Sequence, residues 1–273
     1  RTLLSGKSVA KYVNSKESEI YVKSRSLYGI YFAKNEISKL DKCYLVEGYL
    51  DVLSMHQIGI TNVVASSGTS LTVEQIRLIK RFTENVTIMY DGDSAGIHAA
   101  IRGIGMVLKE GLNVKVVLFP DGDDPDSFAR KHTLGQIQDF ISTHEQDFIA
   151  FKTDLLLDQA GDDPLKKANL INDIADTIAG IPDAVKRSVY VDTCARKFNV
   201  ESDILFERIR RTREKDEAEE AATRRREAAR AERESRREDI PSEFPTATLT
   251  PRTIPSGLQA VEENSIVAPS ERE

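Results

Sequence analysis

The stretch Val86-Thr87-Ile88-Met89-Tyr90-Asp91-Gly92-Asp93-Ser94-Ala95-Gly96 decides the fold. A run of apolar and β-branched residues stops on two aspartates separated by a glycine. Apolar residues at helical spacing then follow over 95–108. A strand that ends on an acidic turn and hands over to a helix is one βα unit. Working outward, the runs 43–46, 62–65 and 114–119 have the same strand-like composition. Between them, 50–58 and 73–82 place apolar side chains at helical spacing. Four strands alternating with three helices predict an α/β fold, a parallel sheet with flanking helices on both faces. Thr72 is placed to cap the second helix, and Gly111 with Asn113 ends the third.

Past residue 132 the strand signals stop. Segments 137–141, 148–157, 165–178 and 185–198 carry helical periodicity, with turns at 161–164 and 180–182, so an all-α subdomain follows the sheet. The stretch 211–239 is dense in charge. Glu220/Arg224 and Glu232/Arg236 stand at i,i+4 in the favourable order, yet an apolar face is nearly absent. It is expected to be a solvated helix or a partly disordered segment. Beyond Pro241 the Pro/Ser/Thr-rich tail has too little apolar content to fold alone. The expected divisions are thus 1–40, a basic N-terminal subdomain; 41–132, the sheet; 133–213, the helical subdomain; and 214–273, a charged helix and linker.

The chain has 273 residues, 40% hydrophobic and 30% charged, with a net charge of −6. No apolar run reaches the ~18 residues that a membrane span needs, and no signal peptide opens the sequence, so no membrane association is expected. It begins on Arg1, which is read as an internal start within a longer polypeptide. Cys43 and Cys194 lie far apart without a metal-ligand spacing and are expected to be buried free thiols in a reducing cytoplasm. The negative sum hides an asymmetry: the first forty residues hold eight Lys/Arg against three Glu. Cations suited to phosphates thus precede carboxylates suited to metals.

Three acidic clusters each follow a strand. Glu47 comes directly after 44–46, with Asp51 one helical turn later. Asp91 and Asp93 follow the third strand, and Asp121, Asp123, Asp124 and Asp126 follow the fourth. Ligands of an open parallel sheet collect outside the carboxyl ends of its strands, so all three clusters fall on one edge. Carboxylates gathered there repel unless cations bridge them, and hard oxygen donors suit magnesium or manganese. A DG or DD pair taken singly is an ordinary turn. Three acidic clusters, each placed after a strand of one parallel sheet, argue against that reading.

Glu-Gly-Tyr-Leu-Asp (47–51), Ala-Ser-Ser-Gly-Thr-Ser (65–70), Tyr-Asp-Gly-Asp-Ser-Ala-Gly (90–96) and Pro-Asp-Gly-Asp-Asp-Pro-Asp (120–126) resemble the Toprim motifs of bacterial DnaG-type primases. Upstream, Lys-Tyr-Val-Asn-Ser (11–15) followed by Leu-Tyr-Gly (27–29) is similar to the block that precedes Toprim in that family. The resemblance is close over 7–133, thins through the helical part and ends near 213. It implies a Toprim-type sheet and metal-dependent synthesis of short RNA primers on a single-stranded DNA template from ribonucleoside triphosphates, at the replication fork in the bacterial cytoplasm. It implies Glu47, Asp91 and Asp93 as catalytic metal ligands, with Asp51, Asp121, Asp124 and Asp126 extending the site. Lys11, Tyr12, Asn14, Lys23 and Arg1 match positions turned towards template or nucleotide. It further implies a zinc-binding module upstream, and contact with the replicative helicase through a C-terminal domain outside this chain.

Other signals fail. Ser5-Gly6-Lys7-Ser8 lacks the glycine that a P-loop needs, since Arg1 stands there. Gly103 and Gly105 sit in a helical pattern that has Leu108 where a dinucleotide fingerprint needs its third glycine. His98 and His132 are read as ordinary helix-end residues. Tyr12, Tyr21, Tyr28 and Tyr31 fit base stacking and core packing equally well. The rival functions are a Toprim nuclease, a non-catalytic metal- and DNA-binding scaffold, and a small-molecule phosphotransferase. The last leaves the basic first forty residues without a role.

Overall fold

The computed structural model describes residues 15–66, 70–90, 104–120 and 122–238. Its sheet is built from β1 (Cys43–Val46), β2 (Val63–Ala65), β3 (Asn85–Tyr90), β4 (Asn113–Leu118) and β5 (Gln146–Asp147), in the order β2-β1-β3-β4-β5. The first four strands are parallel, with Leu45 opposite both Val64 and Ile88, and Tyr90 opposite Leu118. The two-residue β5 is antiparallel to β4 and has no counterpart among the expected strands.

The helices are α1 (Ile30–Leu40), α2 (Tyr49–Gln57), α3 (Val73–Lys80), α4 (residues 104–109), α5 (Pro125–Lys131), α6 (Leu134–His144), α7 (Phe148–Ala160), α8 (Pro164–Ala179), α9 (Ala184–Phe198) and α10 (Ser202–Glu238). Alternation along the strands divides the core. Leu45, Val64, Ile88, Tyr90 and Val116 pack on one face with Ile37 of α1, Ile76 and Ile79 of α3, and Ile104 of α4. Val46, Val63, Ala65, Met89 and Val117 pack on the other with Val52 and Met55 of α2, Phe128 of α5, and Ile137 and Ile141 of α6. Each such fully buried aliphatic side chain contributes about 1.5–3 kcal/mol.

Local chemistry sets the helix starts. Thr72 caps α3, its hydroxyl accepting from the Gln75 N–H while the Gln75 side chain reaches back to the Thr72 N–H. Helix α5 is not among the expected helices: Asp124, Pro125 and Asp126 read as part of an acidic ligand loop, but Asp124 is the N-cap and Pro125 the first helical residue. Helix α1 was also not expected, because its sequence merges into the basic N-terminal run. The charge-dense stretch is helical as far as Glu238. The chain divides into two compact units, residues 1–220 and 221–273. In the second, residues 221–231 are helical and exposed throughout. Among the described residues, no helix is long and apolar enough to cross a membrane.

Candidate active site

Glu47 follows the last residue of β1 and is exposed at the carboxyl end of the parallel strands. The next residue, Gly48, is the N-cap of α2, and its N–H donates to Asp51 Oδ2 at 2.8 Å. A Cβ at Gly48 would stand 3.0 Å from that oxygen, so any side chain there requires the Asp51 carboxylate to give by a few tenths of an ångström. Asp51 is only 9% exposed. Its carboxylate closes the β1–α2 turn on which Glu47 stands.

Tyr90 ends β3, next to β1, and is the residue before Asp91. Burial pushes its hydroxyl pKa up, and the charge of Glu47 pushes it further. The parallel register that pairs Leu45 of β1 with Ile88 of β3 carries the chain at Glu47 to the Tyr90 end of β3. The main chain of Tyr90 also accepts from the Phe119 N–H at 3.2 Å, which ties in the end of β4.

The β4–α5 turn gathers its own acids. Asp123 Oδ1 accepts from Lys131 Nζ at 2.5 Å and Ser127 Oγ at 2.6 Å, and these two bonds hold its carboxyl below the usual aspartate range. Asp124 Oδ1 accepts from the Ser127 N–H at 2.6 Å as the α5 cap. Asp126, 9% exposed, accepts both prongs of the Arg130 guanidinium, Nε at 2.9 Å, and also the Ser54 hydroxyl of α2.

Of the expected site residues, the structure thus brings Glu47 and Asp51 to one turn of the sheet edge and Asp124 and Asp126 to another. Asp91, Asp93, Asp121, Lys11, Tyr12, Asn14 and Arg1 lie outside the described residues. Lys23 is half-buried in a short 3-10 turn (Lys23–Arg25) whose main chain is pinned to α3: Gln75 Nε2 donates to the carbonyls of Lys23 at 3.2 Å and Ser26 at 2.8 Å. Tyr28 exchanges both main-chain hydrogen bonds with Ala65 of β2, and its ring meets Tyr49 edge-on at 4.6 Å. The segment before α1 is therefore an added edge of the sheet. Tyr31 is 73% exposed, with Lys34 over its ring. His132 is engaged within α5, bonded to the Phe128 carbonyl and stacked on its ring.

Among the described residues, no three His, Cys, Asp or Glu side chains converge on a metal-binding position. The donors that are described are hard carboxylate oxygens, of a type that fits magnesium or manganese rather than zinc. Sequence reasoning missed Ser54, Ser127, Arg130 and Lys131. The signal was present: Asp-Pro-Asp-Ser is a helix start, and Asp126 and Arg130 are an i,i+4 pair.

Comparison with known proteins gives two family matches. A Toprim-like family model matches residues 44–129, and one described as the DnaB-helicase binding domain of primase matches residues 149–203. The second carries a helicase-binding description within this chain, in addition to the domain outside it to which the resemblance assigns helicase contact. The match falls on α7, α8 and α9, where helical periodicity looks the same for a scaffold as for a partner-binding bundle. The DNA primase of Clostridium acetobutylicum is 35% identical over 204 residues, 74% of this chain and 34% of that protein. The chain therefore spans about a third of the length of the curated relatives it matches. A solved DNA primase domain from Pseudomonas aeruginosa superposes with a TM-score of 0.68 at 29% identity, covering 75% of this chain and 65% of that one. A DnaG primase catalytic domain bound to single-stranded DNA superposes with a TM-score of 0.62 at 32% identity, covering 70% and 63%.

Proposed function

We infer, for a chain that carries the Toprim-bearing part of a bacterial DnaG-type primase, that it makes RNA primers as a DNA-directed nucleotidyltransferase in DNA replication. The observation that carries this is Glu47, exposed at the carboxyl end of β1, a strand paired in parallel with β3, after whose end Asp91 and Asp93 follow in sequence. Glu47, Asp91 and Asp93 are the residues proposed to hold a divalent metal, magnesium or manganese. Bound there, such an ion supplies the charge neutralisation that phosphoryl transfer between nucleotides demands. The protein's own part is positioning. Asp51 fixes the Glu47 turn through the Gly48 N–H. No protein nucleophile is required. Asp51, Asp121, Asp124 and Asp126 extend the acidic edge. Arg1, Lys11, Tyr12, Asn14 and Lys23 are proposed to face the single-stranded template and incoming ribonucleotides.

The domain divisions proposed are those of the sequence: a basic segment to 40, the Toprim sheet over 41–132, helices over 133–213 and a charged linker beyond. The helical part is proposed to meet the replicative helicase, in line with the family match over 149–203. The setting is the bacterial cytoplasm.

The test is incubation with single-stranded DNA, labelled ribonucleotides and magnesium or manganese. Short labelled RNA products that vanish in Asp91→Ala, with an unchanged melting curve, support the assignment. Products that persist in that variant, or shortening of the DNA in place of RNA synthesis, contradict it.

A further inference from the structure

We propose that Asp126 is a positioning residue that forms a clamp with Arg130 and Ser54, fixing α5 against α2 and thereby setting the two acidic turns relative to each other. This rests on the metal-dependent reading of the sheet edge. Helix α2 starts directly after Glu47-Gly48, and α5 starts directly after its N-cap Asp124. The two helices pack through Val52 and Met55 on one side and Phe128 and Ala129 on the other. That apolar contact holds them together but is non-directional, so it leaves sliding and rotation unspecified.

The clamp supplies the direction. Arg130, one turn along α5, grips Asp126 with both prongs of its guanidinium, a planar match that admits one orientation of the carboxylate. The carboxylate so oriented accepts the Ser54 hydroxyl across the helix interface, 72 positions away in sequence. Asp126 is 9% exposed, whereas the Arg130 side chain is 64% exposed. An ion pair with one end in solvent adds little to global stability, so its effect falls on geometry. A carboxylate already engaged by a guanidinium fork and a hydroxyl would have to break those bonds to serve as a metal ligand.

Manganese titration calorimetry on the 273-residue chain tests this, with metal-free thermal melts as the check on folding. Arg130→Gln separates the roles by direction. A positioning role predicts binding weakened about tenfold, the scale of lost supporting contacts around a metal site. A ligand role predicts unchanged or tighter binding, because the carboxylate is released. Asp126→Asn combined with Arg130→Gln restores an uncharged amide pair, and binding is expected to return to within about twofold of wild type. Loss in that double variant equal to the loss in Asp126→Asn alone overturns the clamp. Ser54→Ala is the mildest probe and is expected to weaken binding in the same direction. Asp91→Ala/Asp93→Ala tests the underlying reading separately. Manganese binding that survives there removes the metal site itself, whatever the clamp variants do.

Discussion

The β1–α2 and β4–α5 turns lie on one edge of one sheet and both are acidic, yet they use their carboxylates differently. In the first, one acid closes the turn and another stands exposed: Asp51 takes the Gly48 N–H and Glu47 is presented outward. In the second, every described aspartate has a structural partner. Asp123 holds Lys131, Asp124 caps α5, and Asp126 is held by Arg130 and Ser54. The density of acids along the sequence therefore does not measure how many are available to a metal. What the structure distinguishes is burial: Glu47 is exposed, whereas Asp51 and Asp126 are each 9% exposed.

The contrast can be broken at several points. The largest effect is expected at Glu47. Glu47→Gln should lower ribonucleotide incorporation at least ~100-fold, the scale on which a single electrostatic group at a reacting centre acts, with the melting temperature unchanged. A loss below tenfold would move the first turn into the same class as the second. Gly48→Ala comes next, because the added methyl lies 3.0 Å from Asp51 Oδ2, close enough to push on the carboxylate that closes the turn. Incorporation should fall about tenfold through the misplaced Glu47, and wild-type rates would show that the cap is dispensable.

In the second turn the effects should appear in stability. Asp124→Ala removes the α5 cap and should cost about 1 kcal/mol in a denaturant melt. The smallest expected effect is a pH dependence at Asp123. Hydrogen bonds from Lys131 and Ser127 depress its pKa, so its contribution is present above the ordinary aspartate value and is lost as pH falls through the lower folded value. Asp123→Asn should flatten the acid limb of the melting temperature below about pH 4. An unaltered limb would mean that the Lys131 contact does not persist in solution.

Much of this architecture was legible in the sequence because its determinants are local. The runs 43–46, 62–65, 86–90 and 114–119 are rich in β-branched residues and became the four parallel strands within a residue or so. Thr72 capped α3 as its spacing implied. Strand β5 was not legible, since two residues carry no period and their pairing with β4 depends on where α6 delivers the chain. Helix α5 was hidden because Asp-Asp-Pro-Asp signals both an acidic ligand loop and a helix start, and the first meaning was preferred. The link from Ser54 to Asp126 was out of reach for a different reason. It joins α2 to α5 across the sheet edge, and no local pattern records such a contact.

The most direct test of the central claim is manganese binding by calorimetry, comparing the wild-type chain with Glu47→Gln and with Asp91→Ala/Asp93→Ala. The account predicts a binding isotherm that weakens in the first variant and disappears in the second while both melt as wild type does. Isotherms that survive unchanged in both would make these carboxylates turn residues and leave the proposed primer synthesis without a physical basis.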